Sequence, residues 1–277
     1  MIKNQVKTVI LLGLLTGLLL GVGQLLGGRQ GLFIALAFAI IMNFGSYWFS
    51  DKIVLAMYKA QKITRDDNSK LFDMVKEVAD LADLPMPKLY IVPTHNPNAF
   101  ATGRNPEHAA VAVTEGILTL LDTNELKGVI AHEISHIKNR DTLIQAVAAT
   151  IAGVISYIAF MARWAAIFGG MGRDRDSGGA FELLALAILT PLIATIIQLA
   201  ISRSREYLAD ESGAKLTHSP ISLANALAKL HKLKKYHPLR FGSPSTSSLF
   251  IVNPFSSRGL LSLFSTHPPV EERIKKH

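Results

Sequence analysis

The chain has 277 residues, 49% of them hydrophobic and only 18% charged, with a mean hydropathy of +0.29, a balance that points to a membrane protein rather than an ordinary soluble enzyme. It contains no cysteine, which excludes disulfides, iron–sulfur clusters, thiolate-held zinc and thiol nucleophiles, so any metal must sit on His, Asp or Glu. The formal charge of +8 gathers beside apolar runs, as in MIKNQVK and SDKIVLAMYKAQKITR, which favours a membrane surface over nucleic acid as its counterpart.

Residues 8–26 and 32–49 are uncharged, and each is near the roughly 20 residues a helix needs to cross a bilayer. Together they predict a transmembrane hairpin. LLGGRQG leads straight into the second run, so the first is not expected to be a cleaved signal peptide. Gly13, Gly17 and Gly21 recur every fourth residue and predict a close-packing face. Hydropathy then falls. Leu71, Met74, Val75, Val78 and Leu81 have helical spacing, a short strand centres on residues 89–92, and NAFATGRNPEHAAVAVTEG predicts two strands around a turn at 104–107. These strands are expected to form a small antiparallel sheet. Asp122 as N-cap with Glu125 three residues later predicts a capping box opening the next helix.

Residues 143–162 form a third apolar run, ended by Arg163 and Trp164, and residues 183–201 a fourth, kinked at Pro191, with a polar GGMGRDRDSGG loop between them. Lys3, Lys7, Lys52, Lys59, Lys62, Arg65, Lys138, Arg140, Arg203 and Arg205 share one side against Arg29, Arg173 and Arg175, which assigns the first group to the cytoplasm. The expected organisation is a transmembrane hairpin (1–50), the first part of a catalytic domain (51–142), a second hairpin (143–201) and the rest of the catalytic domain (202–277). GSPSTSSLFIVNPFSSRG, residues 242–259, reads as a mobile loop.

The chemistry centres on VIAHEISHIKNRD. On a helix His132 and His136 project from one face and can meet one metal, with Glu133 beside them. A catalytic zinc site needs a third ligand and an open position, and Asn139 and Thr142 stand where a metzincin would place its glycine and histidine. SRSREYLADESG offers Glu206 as that ligand and Asp210, one turn on, as a hydrogen-bond partner for a ligand imidazole; the alternative is that both acids merely balance Arg203 and Arg205.

NPNAFATG, AHEISHIKNRD, SRSREYLADESGA and STHPPVEERI, in this order among four apolar segments, closely resemble the HtpX family of bacterial membrane zinc metalloproteases, relatives of the CAAX prenyl proteases. The resemblance implies an α+β fold: a mainly helical, zincin-like domain with the small antiparallel sheet, plus four transmembrane helices. It implies one zinc per chain on His132, His136 and Glu206, with Glu133 as catalytic base. It also implies a multi-pass protein of the bacterial cytoplasmic (inner) membrane that removes damaged membrane proteins at the cytoplasmic face. Membrane-protein and unfolded polypeptide substrates and the lipid bilayer are the expected partners, and nucleic acid is not. His267, with Tyr207 behind it, is a candidate to stabilise the oxyanion, against the alternative of a structural residue ahead of a Pro-Pro turn. Asn98, Ala99, Phe100, Ala101 and Thr102 are expected to form an edge strand that pairs with substrate. Rival readings are a narrow-specificity prenyl-protein-type peptidase and a non-catalytic peptide-binding membrane scaffold.

Overall fold

The structure is a computed structural model, and it describes residues 2–151, 203–236, 249–251 and 268–276. The fourth apolar run, most of the third and His267 lie outside the described residues.

Helix α1 (Ile2–Trp48) is broken at Gly28, whose φ of 56° and ψ of −136° only glycine adopts without strain. The two arms fold against each other. Gly23 and Gly31 approach so closely that a Cβ on Gly23 would lie 2.5 Å from the Ala35 Cβ, and Asn43 donates to Thr16 Oγ1 at 2.7 Å across the arms. Gly28–Trp48 is long and apolar enough to cross a bilayer, and it is the one such helix among the described residues; Val6–Gly21 is a shorter apolar helix. Packing falls to leucine rather than glycine, contrary to the sequence expectation. Leu11, Leu15 and Leu19 are buried, whereas Gly13, Gly17 and Gly21 have nothing within 4 Å of where a Cβ would be. A leucine row removes far more apolar surface than a glycine row, so it takes the inward face.

After α2 (Ser50–Met57) come β1 (Gln61–Ile63), α3 (Ser69–Leu81), β2 (Lys88–Val92), β3 (Ala99–Gly103), β4 (Ala109–Thr114) and α4 (Glu115–Leu120). The sheet order is β1-β2-β4-β3, with β2 and β4 parallel and the other pairs antiparallel. The sheet is therefore mixed, not antiparallel. Alternation of apolar residues marks a strand but carries no direction, and the β3–β4 hairpin docks through β4, which leaves β3 at an edge.

Helix α5 (Thr123–Lys138) opens with the expected box: Asp122 accepts from the Asn124 and Glu125 amides, and Glu125 accepts from the Asp122 amide. It runs through the core, between α3 and β3 on one side and α7 (Arg203–Thr217) and α8 (Pro220–Tyr236) on the other. Val129, Ile130 and Ile134 are fully buried, worth about 1.5–3 kcal/mol each. Helix α6 (Thr142–Ile151) follows, and Ile144, Val147 and Ile151 pack on Leu11, Leu15 and Leu19 of α1. A short helix, α9 (Val270–Lys276), packs on α8.

Of the segment 242–259, expected to be a mobile loop, residues 249–251 are described, and they are irregular but packed into the protein. Leu249, Phe250 and Ile251 are each 3% exposed, with Leu249 and Phe250 in a cluster with Tyr58, Phe100, Ala146 and Ala149.

Candidate metal centre

His132 and His136 lie one turn apart near the C-terminal end of α5, and their rings stand 4.7 Å apart at 85°. Glu206 reaches them from the first turn of α7. Its Oε2 is 3.7 Å from His132 Nε2 and its Oε1 is 3.6 Å from His136 Nε2. Donor atoms about 2.1 Å from one tetrahedral ion would stand about 3.4 Å apart. The triad therefore fits a small divalent ion. Among the described residues these three are the ligating side chains whose donor atoms converge, all within 4.8 Å.

Each imidazole is oriented by a carboxylate behind it. Asp210 Oδ1 lies 2.9 Å from His132 Nδ1, and Asp141 Oδ2 accepts from His136 Nδ1 at 3.2 Å. Protons on Nδ1 leave both Nε2 lone pairs facing Glu206. Asp210, which the sequence offered as an imidazole partner, thus lies beside the His132 ring. Asp141 is a residue that ligand spacing does not pick out. Helix α5 ends with Arg140 at φ 58°, and the Asp141 amide turns back to the His136 carbonyl at 2.9 Å, carrying the carboxylate beneath the ring. An Asp just past the helix end, five residues after a ligand histidine, was the available signal.

Arg273 of α9 was also missed. It is fully buried; Nε and Nη2 donate to the two Asp210 oxygens at 2.8 and 2.6 Å, and Nη1 donates to the Ile251 carbonyl at 3.0 Å and lies 3.7 Å from Glu206. Burial alone would raise the pKa of Asp210, but His132 and Arg273 outweigh it and hold its carboxyl below the usual range. Only the STHPPVEERI motif hinted at this arginine.

The approach of α7 to α5 depends on Gly213. A Cβ there would lie 2.9 Å from the His132 amide nitrogen and 3.1 Å from the Ala131 carbonyl carbon. Gly213→Ala should push α7 outward, destabilise the protein by about 1–3 kcal/mol and weaken metal retention. Melting with and without chelator checks this; wild-type behaviour in both would mean that the contact does not position Glu206.

Glu133 is 5% exposed, and its Oε2 accepts from the Ala101 amide of β3 at 2.8 Å. Burial raises its carboxyl above the ordinary range and Glu206 adds to this, while the two histidines and the Ala101 hydrogen bond oppose it. The cavity, of about 10 Å³, is lined by Phe100, Ala101, Gln145 and residues 249–251 as well as the triad and Glu133. Asn98 fixes its outer wall, donating to the Leu249 carbonyl at 3.0 Å and accepting from the Ile251 amide at 3.2 Å. The edge strand expected to meet substrate is thus beside the triad, and all five of its residues are buried. Tyr207 is elsewhere: its hydroxyl donates to Glu272 at 2.9 Å on an exposed flank.

The profile of peptidase family M48 matches residues 65–276 of the chain. A protease HtpX homolog of Syntrophobacter fumaroxidans is 54% identical over 277 residues, 99% of this chain and 98% of the relative. One from Pyrococcus furiosus is 54% identical over 271 residues, 98% and 94% of the two chains. The crystal structure of S. mikatae Ste24p has a TM-score of 0.51 at 18% identity, covering 99% of this chain and 65% of that one, a likeness of fold alone.

Proposed function

This chain belongs to peptidase family M48 and is a metalloprotease, and from that premise we propose that it is a zinc endopeptidase of a membrane, cleaving damaged or unfolded membrane proteins at the cytoplasmic face. The observation that carries the membrane reading is the double contact of α6. Gln145 lines the metal cavity while Ile144, Val147 and Ile151 of the same helix pack on the apolar helices of α1. Val9, Ile34, Ile40, Ile41, Phe33 and Phe44 of α1 are 58–71% exposed, as suits lipid contact, and Trp48 stacks under Arg104 at 4.8 Å as an interfacial aromatic would. The Lys and Arg bias supports the cytoplasmic face.

His132, His136 and Glu206 would hold one zinc ion per chain, two imidazole nitrogens and a carboxylate oxygen being a donor set that zinc takes. When bound, zinc supplies Lewis acidity, making water more acidic and the scissile carbonyl more electrophilic. Glu133 accepts a proton from the attacking water and delivers it to the leaving amine, a role its raised basicity and burial suit. Asp210 and Asp141 hold the two imidazoles in their ligating tautomers. The β3 edge would receive substrate as an added strand once Glu133 gives up the Ala101 amide.

A peptide tethered to a membrane helix should be cut faster than the same peptide free in solution by the chain in liposomes. Equal rates would remove the membrane-substrate reading and leave the metalloprotease.

Metal affinity should rise with pH. Burial would lower the pKa of His136, but the Asp141 hydrogen bond and the Glu206 and Glu133 charges outweigh it and lift it to about 9 in the metal-free protein. Below that pH a proton must leave before Nε2 can bind. Affinity should therefore climb by up to about tenfold per pH unit toward 9 and then level off. Chelator competition across pH 6–10 measures it; a flat profile contradicts the assignment.

A further inference from the structure

Gln145 stands in an otherwise apolar stretch, LIQAVAAT, and is 6% exposed. A carboxamide in so buried a side chain loses most of its contact with water and is costly to leave unpaired. Three neighbouring buried hydroxyls have partners: Thr142 donates to the Gly103 carbonyl, Ser135 to Ala131 and Thr150 to Ala146. The Gln145 backbone amide is also used, donating to the Asp141 carbonyl at 3.2 Å. Its side-chain carboxamide makes no hydrogen bond among the described residues, yet it lines the cavity that holds His132, Glu133, His136 and Glu206. A helix rich in Ala, Val and Ile gains nothing in stability from this glutamine. The unspent donor faces the one place where the reaction creates new negative charge.

We propose that Gln145 is a catalytic residue, whose Nε2–H donates to the carbonyl oxygen of the scissile peptide bond as that oxygen takes up charge. The assignment rests on the hydrolytic reading of the site. In the step, the water oxygen bonds to the carbonyl carbon and the C=O π pair moves onto oxygen. Glu133 holds the water proton; the pair then returns as the C–N bond breaks, and the nitrogen leaves with that proton. No net charge or proton is left behind. Among the described residues, the other polar side chains lining the cavity are already committed, since His132, His136 and Glu206 face one another as ligands and Glu133 is an acceptor. Gln145 is the neutral side-chain donor that remains there among the described residues. A preorganised donor in a site with room for about one water acts at low dielectric, where its effect on developing charge is largest.

The test uses the full-length, zinc-loaded chain in detergent, with a quenched fluorogenic peptide as substrate and a phosphonamidate peptide as a mimic of the charged species. Gln145→Leu should lower kcat roughly 10²–10³-fold with KM little changed. Zinc content and chelator resistance should match wild type. Phosphonamidate affinity should fall by the same factor as kcat/KM, while binding of a reduced-amide peptide, which lacks the oxygen, stays constant. Gln145→Met repeats the loss of the donor with a flexible side chain in case leucine misfolds. Wild-type kcat in either variant, loss of zinc together with kcat, or unchanged phosphonamidate affinity would each overturn the role. An inactive wild type that binds zinc would instead count against the hydrolytic reading.

Discussion

Glu133→Gln is expected to reduce proteolysis by roughly 10²–10⁴-fold while metal stays bound, because the change removes a base and keeps the shape. The glutamine oxygen can still accept from the Ala101 amide at the position Glu133 Oε2 holds, so β3 and α5 keep their contact. The ligand nitrogens and Glu206 are untouched, and removing one of several buried carboxylates should leave the metal-free site no less stable. His136→Ala and Glu206→Ala, by contrast, should lose metal and activity together. Metal analysis beside cleavage of unfolded casein separates the two classes. Loss of metal in Glu133→Gln would show that the residue is a ligand, and retained cleavage would show that the base lies elsewhere.

Arg273→Leu is expected to destabilise the protein by about 3–5 kcal/mol, the range for leaving a buried charge without its partner. Arg273 is fully buried and makes a bidentate pair with Asp210, itself 3% exposed, so neither charge can turn to water when the other is lost. The Ile251 carbonyl also loses its donor, which leaves the cavity wall the two hydrogen bonds it shares with Asn98 among the described residues. Asp210→Asn should cost a comparable amount. The double variant Arg273→Leu/Asp210→Asn should recover part of the stability, since no unpaired charge remains, yet should not recover metal retention, since His132 still lacks its carboxylate. Denaturant melts of the four proteins and their chelator resistance measure both. Strict additivity of the single changes would mean that the pair is not coupled.

The parts of the site that were readable share a local cause. His132, Glu133 and His136 are set by one helix period, and the Asp122–Glu125 box shows where that helix starts; both are present as read. Glu206 lies 70 residues after His136, too far for spacing to assign, and the ordered motifs brought it in; membership of the M48 family bears out the HtpX resemblance on which that step rested. Arg273 and Gln145 escaped because their partners come from other elements: an arginine in a short amphipathic helix looks like surface charge, and one glutamine in an apolar run looks like a tolerated polar residue. Asp141 was within the quoted motif, but its role depends on the left-handed turn at Arg140, which no residue preference announces. The sheet erred in direction for the same reason: pairing is a tertiary choice. Residues 249–251 were lost in their surroundings, where three apolar side chains sit in a Ser- and Pro-rich segment whose composition dominates any window average.

The three ligands are between 1% and 4% exposed, and their cavity has room for little more than the ion itself. Equilibrium affinity is therefore only half of what the burial decides. An incoming chelator or second ion has little room at the centre while α5, α7 and the 249–251 wall keep these positions, so exchange of the ion should be paced by local opening of the protein as well as by the strength of its bonds to nitrogen and oxygen. A centre of this kind should hold its metal over times longer than the affinity alone would give, so that a brief fall in the surrounding zinc passes without emptying it.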